Sequence, residues 1–272
     1  GPRPIPQAKS REVAKVAKAV RRAKRPLVVV GSQATLRTDQ IDEIARALDQ
    51  TGLPAYLSGM ARGLLGARHE RHFRHKRRVA LREADLVLLL GVPQDFRLDY
   101  GRHIPRKTPV IGVNLDDLDL VKNRKPQVPI LADPGLFLIA LSEALSGQRS
   151  GQSPGKKAQK AAEKRATRWA GWLETLAGRD SAREADIDQR AKQTTDFVNP
   201  IQLFRELDAL LPDDSVLVAD GGDFVATASY TLRPRGPLRW LDPGVFGTLG
   251  VGGGFALGAK VARPSAEVWL LW

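Results

Sequence analysis

Seven glycines within residues 240–258 are the clearest candidates for chemistry in this sequence. Glycine is used where the backbone must approach another group closely or adopt a positive φ angle, at an entropic cost elsewhere. So many glycines in one stretch predict a site that is lined by backbone and runs into a helix. The glycines are Gly244, Gly247, Gly250, Gly252, Gly253, Gly254 and Gly258.

The spacing of Gly250, Gly252, Gly253, Gly254 and Gly258 also approximates a dinucleotide-binding fingerprint. That fingerprint must directly follow a strand and open a helix. Here the residues Asp-Pro-Gly at 242–244 precede the glycines, so the first condition fails. The sequence therefore does not favour a nicotinamide dinucleotide at this place.

Two carboxylates, Asp220 and Asp223, flank a pair of glycines at the end of a predicted strand. Paired carboxylates at a strand end are able to bind a divalent metal. The alternative, which we favour, is a turn in which Asp223 caps the following helix.

Three histidines, His69, His72 and His75, are spaced three residues apart. Helical zinc pairs more often use i,i+4 spacing with a carboxylate partner, and the chain has no cysteine to complete such a site. We therefore interpret them as surface histidines and predict no metal ligands in this chain.

Length and composition restrict the class of protein. With 272 residues the chain is long enough for one or two domains. It has no apolar run of the ~18 residues that a membrane-spanning helix needs, and the absence of cysteine excludes disulfides. We expect a cytoplasmic protein without a membrane span.

The formal net charge of +13 raises the question of nucleic-acid binding. In the first basic cluster, residues 9–25, the lysines and arginines are interleaved with apolar residues at helical spacing, as on an amphipathic helix. These apolar residues are Val13, Val16, Ala17 and Val20. The second cluster, residues 68–82, contains one aromatic, Phe73, which is too few for a stacking platform. We predict no specific nucleic-acid partner; an anionic cofactor or a coenzyme A ester would also be attracted by this charge.

Apolar runs alternate with helical patterns up to residue 145. This alternation predicts an α/β fold with a parallel sheet that is covered on both faces. Ligands on such sheets bind at the carboxyl ends of the strands, where the sequence places Gly31, Gly91 and Asp116. The predicted strands are 27–30, 54–57, 85–90, 109–113 and 129–133, and the predicted helices include 41–48, the basic region 68–82 and 134–145.

A second α/β unit is predicted after a Gly/Ser/Gln/Lys-rich linker at 146–157, a helix at 158–177 and a polar stretch at 178–196. It opens at Asn199 and Pro200, an N-cap followed by proline in the first helical position. Strands are predicted at 215–219 and 267–272. Because a parallel strand normally continues into a crossover, we expect this sequence to be a fragment of a longer protein.

Five long strings, which span most of the chain, resemble the thiamine-diphosphate (ThDP) enzymes. The resemblance is to the branch that contains acetolactate synthases and 2-hydroxyacyl-CoA lyases. The strings are residues 25–34, 59–66, 95–98, 220–225 and 234–244, the last running on through 246–251.

The resemblance implies a domain organisation. Residues 1–8 would be a lead-in linker, 9–148 a Rossmann-like central domain, 149–198 a linker with a helix, and 199–272 a partial α/β ThDP-binding domain. The family's pyrimidine-binding domain, and its Gly-Asp-Gly motif for Mg²⁺, would lie outside these residues. We therefore expect the 272-residue chain alone to be inactive.

The resemblance also implies roles for individual residues. Gly222, Asp223 and Phe224 would form a turn against the diphosphate side of the cofactor. Gly247, Thr248 and Leu249 would lie under the bent cofactor. As catalytic groups, the Gly247 carbonyl would accept a hydrogen bond from the 4′-amino group, and Leu249 would hold the bend.

The activity implied is the breaking or making of a C–C bond next to a carbonyl, with ThDP and Mg²⁺, on a 2-keto acid or an acyl-CoA substrate. The resemblance leaves open whether the central domain binds FAD, an ADP-containing nucleotide or neither, near Gly31, Gly91 and Asp116. A homo-oligomer, dimer or tetramer, is implied. The alternative is a non-catalytic module that binds FAD, ADP or CoA or serves in assembly.

Overall fold

A computed structural model describes residues 4–147 and 155–272, apart from the side chains of residues 157, 158, 223 and 224. The start of the predicted lead-in and most of the predicted linker, 148–154, lie outside the described residues. The chain forms two compact units. The first contains residues up to Ser58 together with Glu70–Ala177, and the second contains Gly59–His69 and Gly178–Trp272.

The first unit is built on a sheet of five parallel strands in the order β2-β1-β3-β4-β5. Strands β1, β3 and β4 are buried along their whole length, which is typical of a parallel sheet covered on both faces. The α/β fold and the predicted strands are confirmed. The strands are β1 (Pro26–Val30), β2 (Ala55–Leu57), β3 (Leu86–Leu90), β4 (Val110–Asn114) and β5 (Val128–Leu131).

Helices connect and cover these strands. The basic helix α1 buries the apolar side that its spacing predicts, Val13, Val16, Ala17 and Val20. Helix α2 is followed by Gly52, whose φ of 70° is the left-handed conformation common after a helix. The helices are α1 (Ser10–Arg22), α2 (Ile41–Thr51), α3 (Arg77–Glu83), α4 (Asp117–Val121), α5 (Pro134–Ser146) and the first part of α6 (Lys156–Ala191).

The prediction of a basic helix over residues 68–82 is wrong for its first half, because α3 begins only at Arg77. Residues before it pair with β2 instead: the Ala55 amide donates to the Arg71 carbonyl at 2.8 Å, and the Phe73 amide donates to the Ala55 carbonyl at 2.9 Å. These tertiary hydrogen bonds outweigh local helix propensity. His75 is buried rather than on the surface.

The second unit contains a sheet of three parallel strands in the order β7-β6-β8. Helix α7 begins as predicted, with the Asn199 side chain accepting from the Ile201 amide at 3.0 Å and Pro200 in the first position. The elements are α7 (Pro200–Leu210), β6 (Val216–Ala219), α8 (Gly222–Thr231), β7 (Trp240–Leu241), α9 (Gly252–Ala262) and β8 (Val268–Leu271).

The predicted polar stretch at 178–196 is instead helical as far as Ala191, where α6 ends. Ion pairs hold this part of the helix within the second unit. Glu184 contacts Arg205 at 2.6 Å and Arg233 at 3.0 Å, and Ile187 is fully buried. Buried contacts of this kind stabilise a helix whose sequence lacks a strong apolar period.

Within the described ranges, no helix combines the length and the apolar character that a membrane span requires.

Candidate functional site

The glycine-rich stretch forms a loop between β7 and α9, in the second unit. We call residues 244–252 the glycine loop. A short 3₁₀ helix, Gly244–Phe246, opens it, and Gly252 is the first residue of α9. Gly244, Gly247 and Gly250 have φ angles of 64°, 58° and 88°. A side chain would strain the backbone at these three positions, which explains why glycine stands there.

The carboxylate of Asp220, at the end of β6, holds the C-terminal end of the glycine loop. It is buried, and its two oxygens accept hydrogen bonds from the amides of Gly250 at 3.0 Å and Gly252 at 2.8 Å. The first amides of a helix have no partner within the helix and carry partial positive charge. A carboxylate is therefore a favourable acceptor here.

Asp242 holds the other end of the loop. One oxygen of its buried carboxylate accepts from the Gly244 amide at 2.9 Å. The other accepts from the indole Nε1 of Trp240 at 2.8 Å, and Trp240 is completely buried. The sequence Trp-Leu-Asp-Pro-Gly thus folds into a compact turn that places the start of the glycine loop.

The structure brings the two predicted cofactor segments together. A Cβ atom added at Gly221, the residue before α8, would lie 2.5 Å from Cδ2 of Leu249, and one added at Gly222 would lie 4.0 Å from the same atom. Leu249 therefore lies directly over the start of α8 while 68% of it stays exposed. Gly222, with φ of 62°, and the segment 247–249 share one surface.

Asp223 and Phe224 occupy the first turn of α8, but their side chains lie outside the described part of the chain. The cap predicted for Asp223 therefore stays a prediction. Asp220 is the other carboxylate of the possible metal pair, and each of its oxygens accepts one hydrogen bond from a backbone amide. In residues 4–147 and 155–272 there is no group of three or more metal-binding side chains.

Residues 59–69 pack within the second unit, a placement that sequence analysis missed. A Cβ atom at Gly63 would lie 2.0 Å from the Gly236 carbonyl oxygen, so the two backbones are in direct contact. The Arg62 guanidinium donates to the Ser229 carbonyl at 3.2 Å and lies 5.6 Å from the centre of the Trp240 ring. The available signal was the glycine spacing at 59, 63 and 66.

In the first unit, the two glycines predicted at the carboxyl ends of strands are explained by packing. A Cβ atom at Gly31 would lie 2.3 Å from the Gly91 carbonyl oxygen, and one at Gly91 would lie 2.7 Å from Cβ of Gln33. The Gln33 side chain then spans to β4, donating to Asn114 at 2.9 Å and accepting from the Leu115 amide at 3.0 Å. The space beside Gly31 and Gly91 is thus filled by Gln33 and by backbone.

Asp116, the third residue predicted at this edge, is exposed and caps α4 by accepting from the Asp119 amide at 2.8 Å. A capping carboxylate of this kind is a sufficient reason for an aspartate at this position.

The loop after β3 carries the string 95–98. Asp95 accepts from the Arg97 backbone amide at 3.0 Å and pairs with its guanidinium at 2.7 Å. Asp99 and Tyr100 follow with φ angles of 50° and 54°. His103 lies further along this loop. Burial lowers the pKa of its imidazole, and the negative charge of Asp99 acts in the opposite direction.

The chain matches two protein families. Residues 13–141 match "Thiamine pyrophosphate enzyme, central domain", and residues 220–272 match "Thiamine pyrophosphate enzyme, C-terminal TPP binding domain". The second match contains Asp220, the residues Gly221 and Gly222 beside Leu249, and the whole glycine loop. The first contains the five-stranded sheet.

Similar curated proteins include 2-hydroxyacyl-CoA lyase 2 from Danio rerio, 46% identical over 98% of this chain. The Homo sapiens protein of the same name is 44% identical over 100% of the chain. An acetolactate synthase large subunit from Mycobacterium tuberculosis is 34% identical over 92% of it. The chain spans 41%, 41% and 42% of the length of these three relatives.

Proposed function

Because this chain belongs to the thiamine pyrophosphate enzymes, we propose that it forms the central domain and the first part of the cofactor-binding domain of a ThDP-dependent lyase or carboligase. Such an enzyme breaks or makes a C–C bond next to a carbonyl. The observation that carries the proposal is the glycine loop, which is held at both ends by buried carboxylates and places Leu249 over Gly221.

We propose a 2-hydroxyacyl-CoA ester as the first substrate class to test. The support is the higher identity, 46% against 34%, to relatives named 2-hydroxyacyl-CoA lyase 2 than to one named acetolactate synthase. Condensation of 2-keto acids is the second class. The net charge of +13 favours either anionic substrate over a neutral one.

ThDP, when bound, supplies a carbanion and an electron sink. The roles proposed for this chain are those of a rigid support. Gly247 presents its carbonyl as the acceptor that orients the aminopyrimidine, and the left-handed backbone there holds that carbonyl in place. The Leu249 side chain supplies bulk under the bend and excludes water from the reacting carbon.

Mg²⁺ enters the proposal through the diphosphate, which needs a divalent cation to balance its charge. Both oxygens of Asp220 accept hydrogen bonds from amides of the glycine loop, so the role we propose for this carboxylate is support of the loop rather than ligation of the metal. We assign no metal ligand to this chain.

A nucleotide on the central domain has weaker support. The space beside Gly31 and Gly91 is occupied by Gln33 and by backbone, so FAD or an ADP group would need another part of this edge. The roles predicted for Gly31, Gly91 and Asp116 in nucleotide binding therefore stay predictions.

We also propose that the protein is a homo-oligomer. Helix α9 exposes 72% of Leu257 and 81% of Val261, one turn apart, and Gly254 and Gly258 continue the same face. Exposed apolar surface of this kind marks an interaction face. Sedimentation of the full-length protein should show a dimer or larger, and Val261→Lys should shift it towards monomer.

The activity is tested with the full-length gene product, ThDP and Mg²⁺, and each substrate class in turn. We expect cleavage of the C1–C2 bond of a 2-hydroxyacyl-CoA ester, which gives an aldehyde from C2 and formyl-CoA from the thioester carbon. Leu249→Ala should reduce the rate, whereas Leu210→Ala, an equally exposed leucine on α7, should not. ThDP-independent turnover, or no turnover of either substrate class, would contradict the proposal.

A further inference from the structure

We infer that Asp220 and Asp242 are positioning residues: they fix the two ends of the glycine loop, and this fixing strengthens the binding of ThDP. The inference rests on the proposed function for its cofactor. Its structural part, the fixing of the loop, stands on the second unit alone.

At the C-terminal end, one carboxylate serves two amides. The Asp220 oxygens each accept a single backbone hydrogen bond, from Gly250 and Gly252. Space is equally constrained, since a Cβ atom at Gly252 would lie 2.9 Å from Cβ of Asp220 and 2.6 Å from Cδ1 of Leu270. The end of the loop and the start of α9 are therefore fixed by both hydrogen bonding and packing.

At the N-terminal end, the contact between Asp242 and Gly244 belongs to a series of contacts that reaches Arg62. Asp242 accepts from Gly244 and from the Trp240 indole, and the Arg62 guanidinium lies over that indole ring. Trp240 is completely buried, so the carboxylate that it orients has little freedom. Segment 59–69 thus supports the glycine loop through Trp240.

Between the fixed ends, the loop is open to solvent. Val245, Phe246 and Leu249 are 44%, 88% and 68% exposed, and an added Cβ at Gly247 would meet no described atom within 4 Å. Leu249 packs on Gly221, and the two ends of the loop are held by Asp220 and Asp242. A loop that is already ordered loses less entropy on binding, which increases affinity.

The test uses Asp220→Asn in the full-length protein, with Asp213→Asn, an exposed aspartate of the same unit, as the control. Asparagine keeps one acceptor oxygen but turns an N–H group towards the second amide. Amide hydrogen exchange at Gly250 and Gly252 should accelerate about tenfold or more, and the Kd for ThDP in the presence of Mg²⁺ should rise by a similar factor. The exchange of β6 amides should change little.

Trp240→Phe is the milder second variant, because it removes the indole donor and keeps an aromatic ring. Its control is Trp269→Phe, whose indole donates to the exposed Glu267 at 3.1 Å. Faster exchange at Gly244 and weaker ThDP binding are expected for Trp240→Phe only.

Unchanged exchange at Gly250 and Gly252 in Asp220→Asn would overturn the inference, as would faster exchange with an unchanged Kd for ThDP. If the unsubstituted protein binds no ThDP, the proposed function fails, and with it the part of the inference that concerns ThDP binding. The exchange rates would then still decide whether the two carboxylates fix the loop.

Discussion

The Asp220 carboxylate and the Gly252 amide lie 2.8 Å apart, although 32 residues separate them in the chain. This hydrogen bond joins the end of β6 to the first residue of α9. Because of this hydrogen bond the backbone must come back to Asp220 at Gly252, and this fixes the C-terminal end of the glycine loop.

Substitution of neighbouring glycines in α9 should have opposite effects on stability. Gly252→Ala places a Cβ atom 2.6 Å from Leu270 and 2.9 Å from Asp220, so we expect a loss of roughly 1–3 kcal/mol. Gly253→Ala meets no atom within 4 Å and should gain roughly 0.5–1 kcal/mol by helix propensity. Urea unfolding of the 272-residue chain measures both; equal effects would contradict the packing described at Gly252.

Gly63→Ala should destabilise the second unit. The added Cβ would lie 2.0 Å from the Gly236 carbonyl, which is backbone and has little room to move, so the cost should be about 2 kcal/mol or more. Gly178→Ala, at an open position of α6 in the same unit, is the matched control. A Gly63→Ala variant as stable as the control would show that segment 59–69 does not pack closely on Gly236.

Gly31→Ala separates packing from nucleotide binding. Because the added Cβ would lie 2.3 Å from the Gly91 carbonyl, the first unit should lose stability by roughly 1–3 kcal/mol in the absence of any nucleotide. Thermal unfolding with and without added FAD or ADP measures this. If the variant is fully stable without nucleotide and differs only in its presence, Gly31 serves a ligand rather than the sheet.

His103 should make part of the stability dependent on pH. Burial lowers the pKa of His103 in the folded protein, so the unfolded chain binds the proton more readily. Stability is therefore complete above the unfolded pKa of about 6.5 and falls as the pH drops below it. Unfolding at pH 7.5 and 5.5 should show a smaller loss for His103→Gln than for the unsubstituted chain; an equal loss would contradict this assignment.

Local patterns identified most regular elements. Continuous apolar runs gave the strands of the five-stranded sheet, and the spacing of Val13, Val16 and Val20 gave the buried side of α1. Asn199 followed by Pro200 gave the start of α7. Each of these elements was predictable because the side-chain period of a helix or strand, and the capping of a helix, involve residues close to one another in the sequence.

Features that depend on distant partners were not predictable. The residues before Arg77 are held out of a helix by Ala55, and α6 continues past Ala177 where Glu184 pairs with Arg205. Strand β7 has two residues, too few for a period.

The same limit applies to the site. The glycine-rich stretch was predicted from the sequence, and Leu249 was singled out by the family resemblance, but the hydrogen bonds from the amides of Gly250 and Gly252 to the two Asp220 oxygens were not predicted. Nor was the packing of Gly63 against Gly236. Both contacts join segments far apart in the chain, and no short motif encodes them.

We propose that the glycine loop supports ThDP. Hydrogen exchange of the full-length protein, measured with and without ThDP and Mg²⁺, tests this proposal. We predict that the cofactor slows exchange in residues 244–252 and at the start of α8, around Gly222. Protection confined to other parts of the chain, with these two segments unchanged, would rule it out.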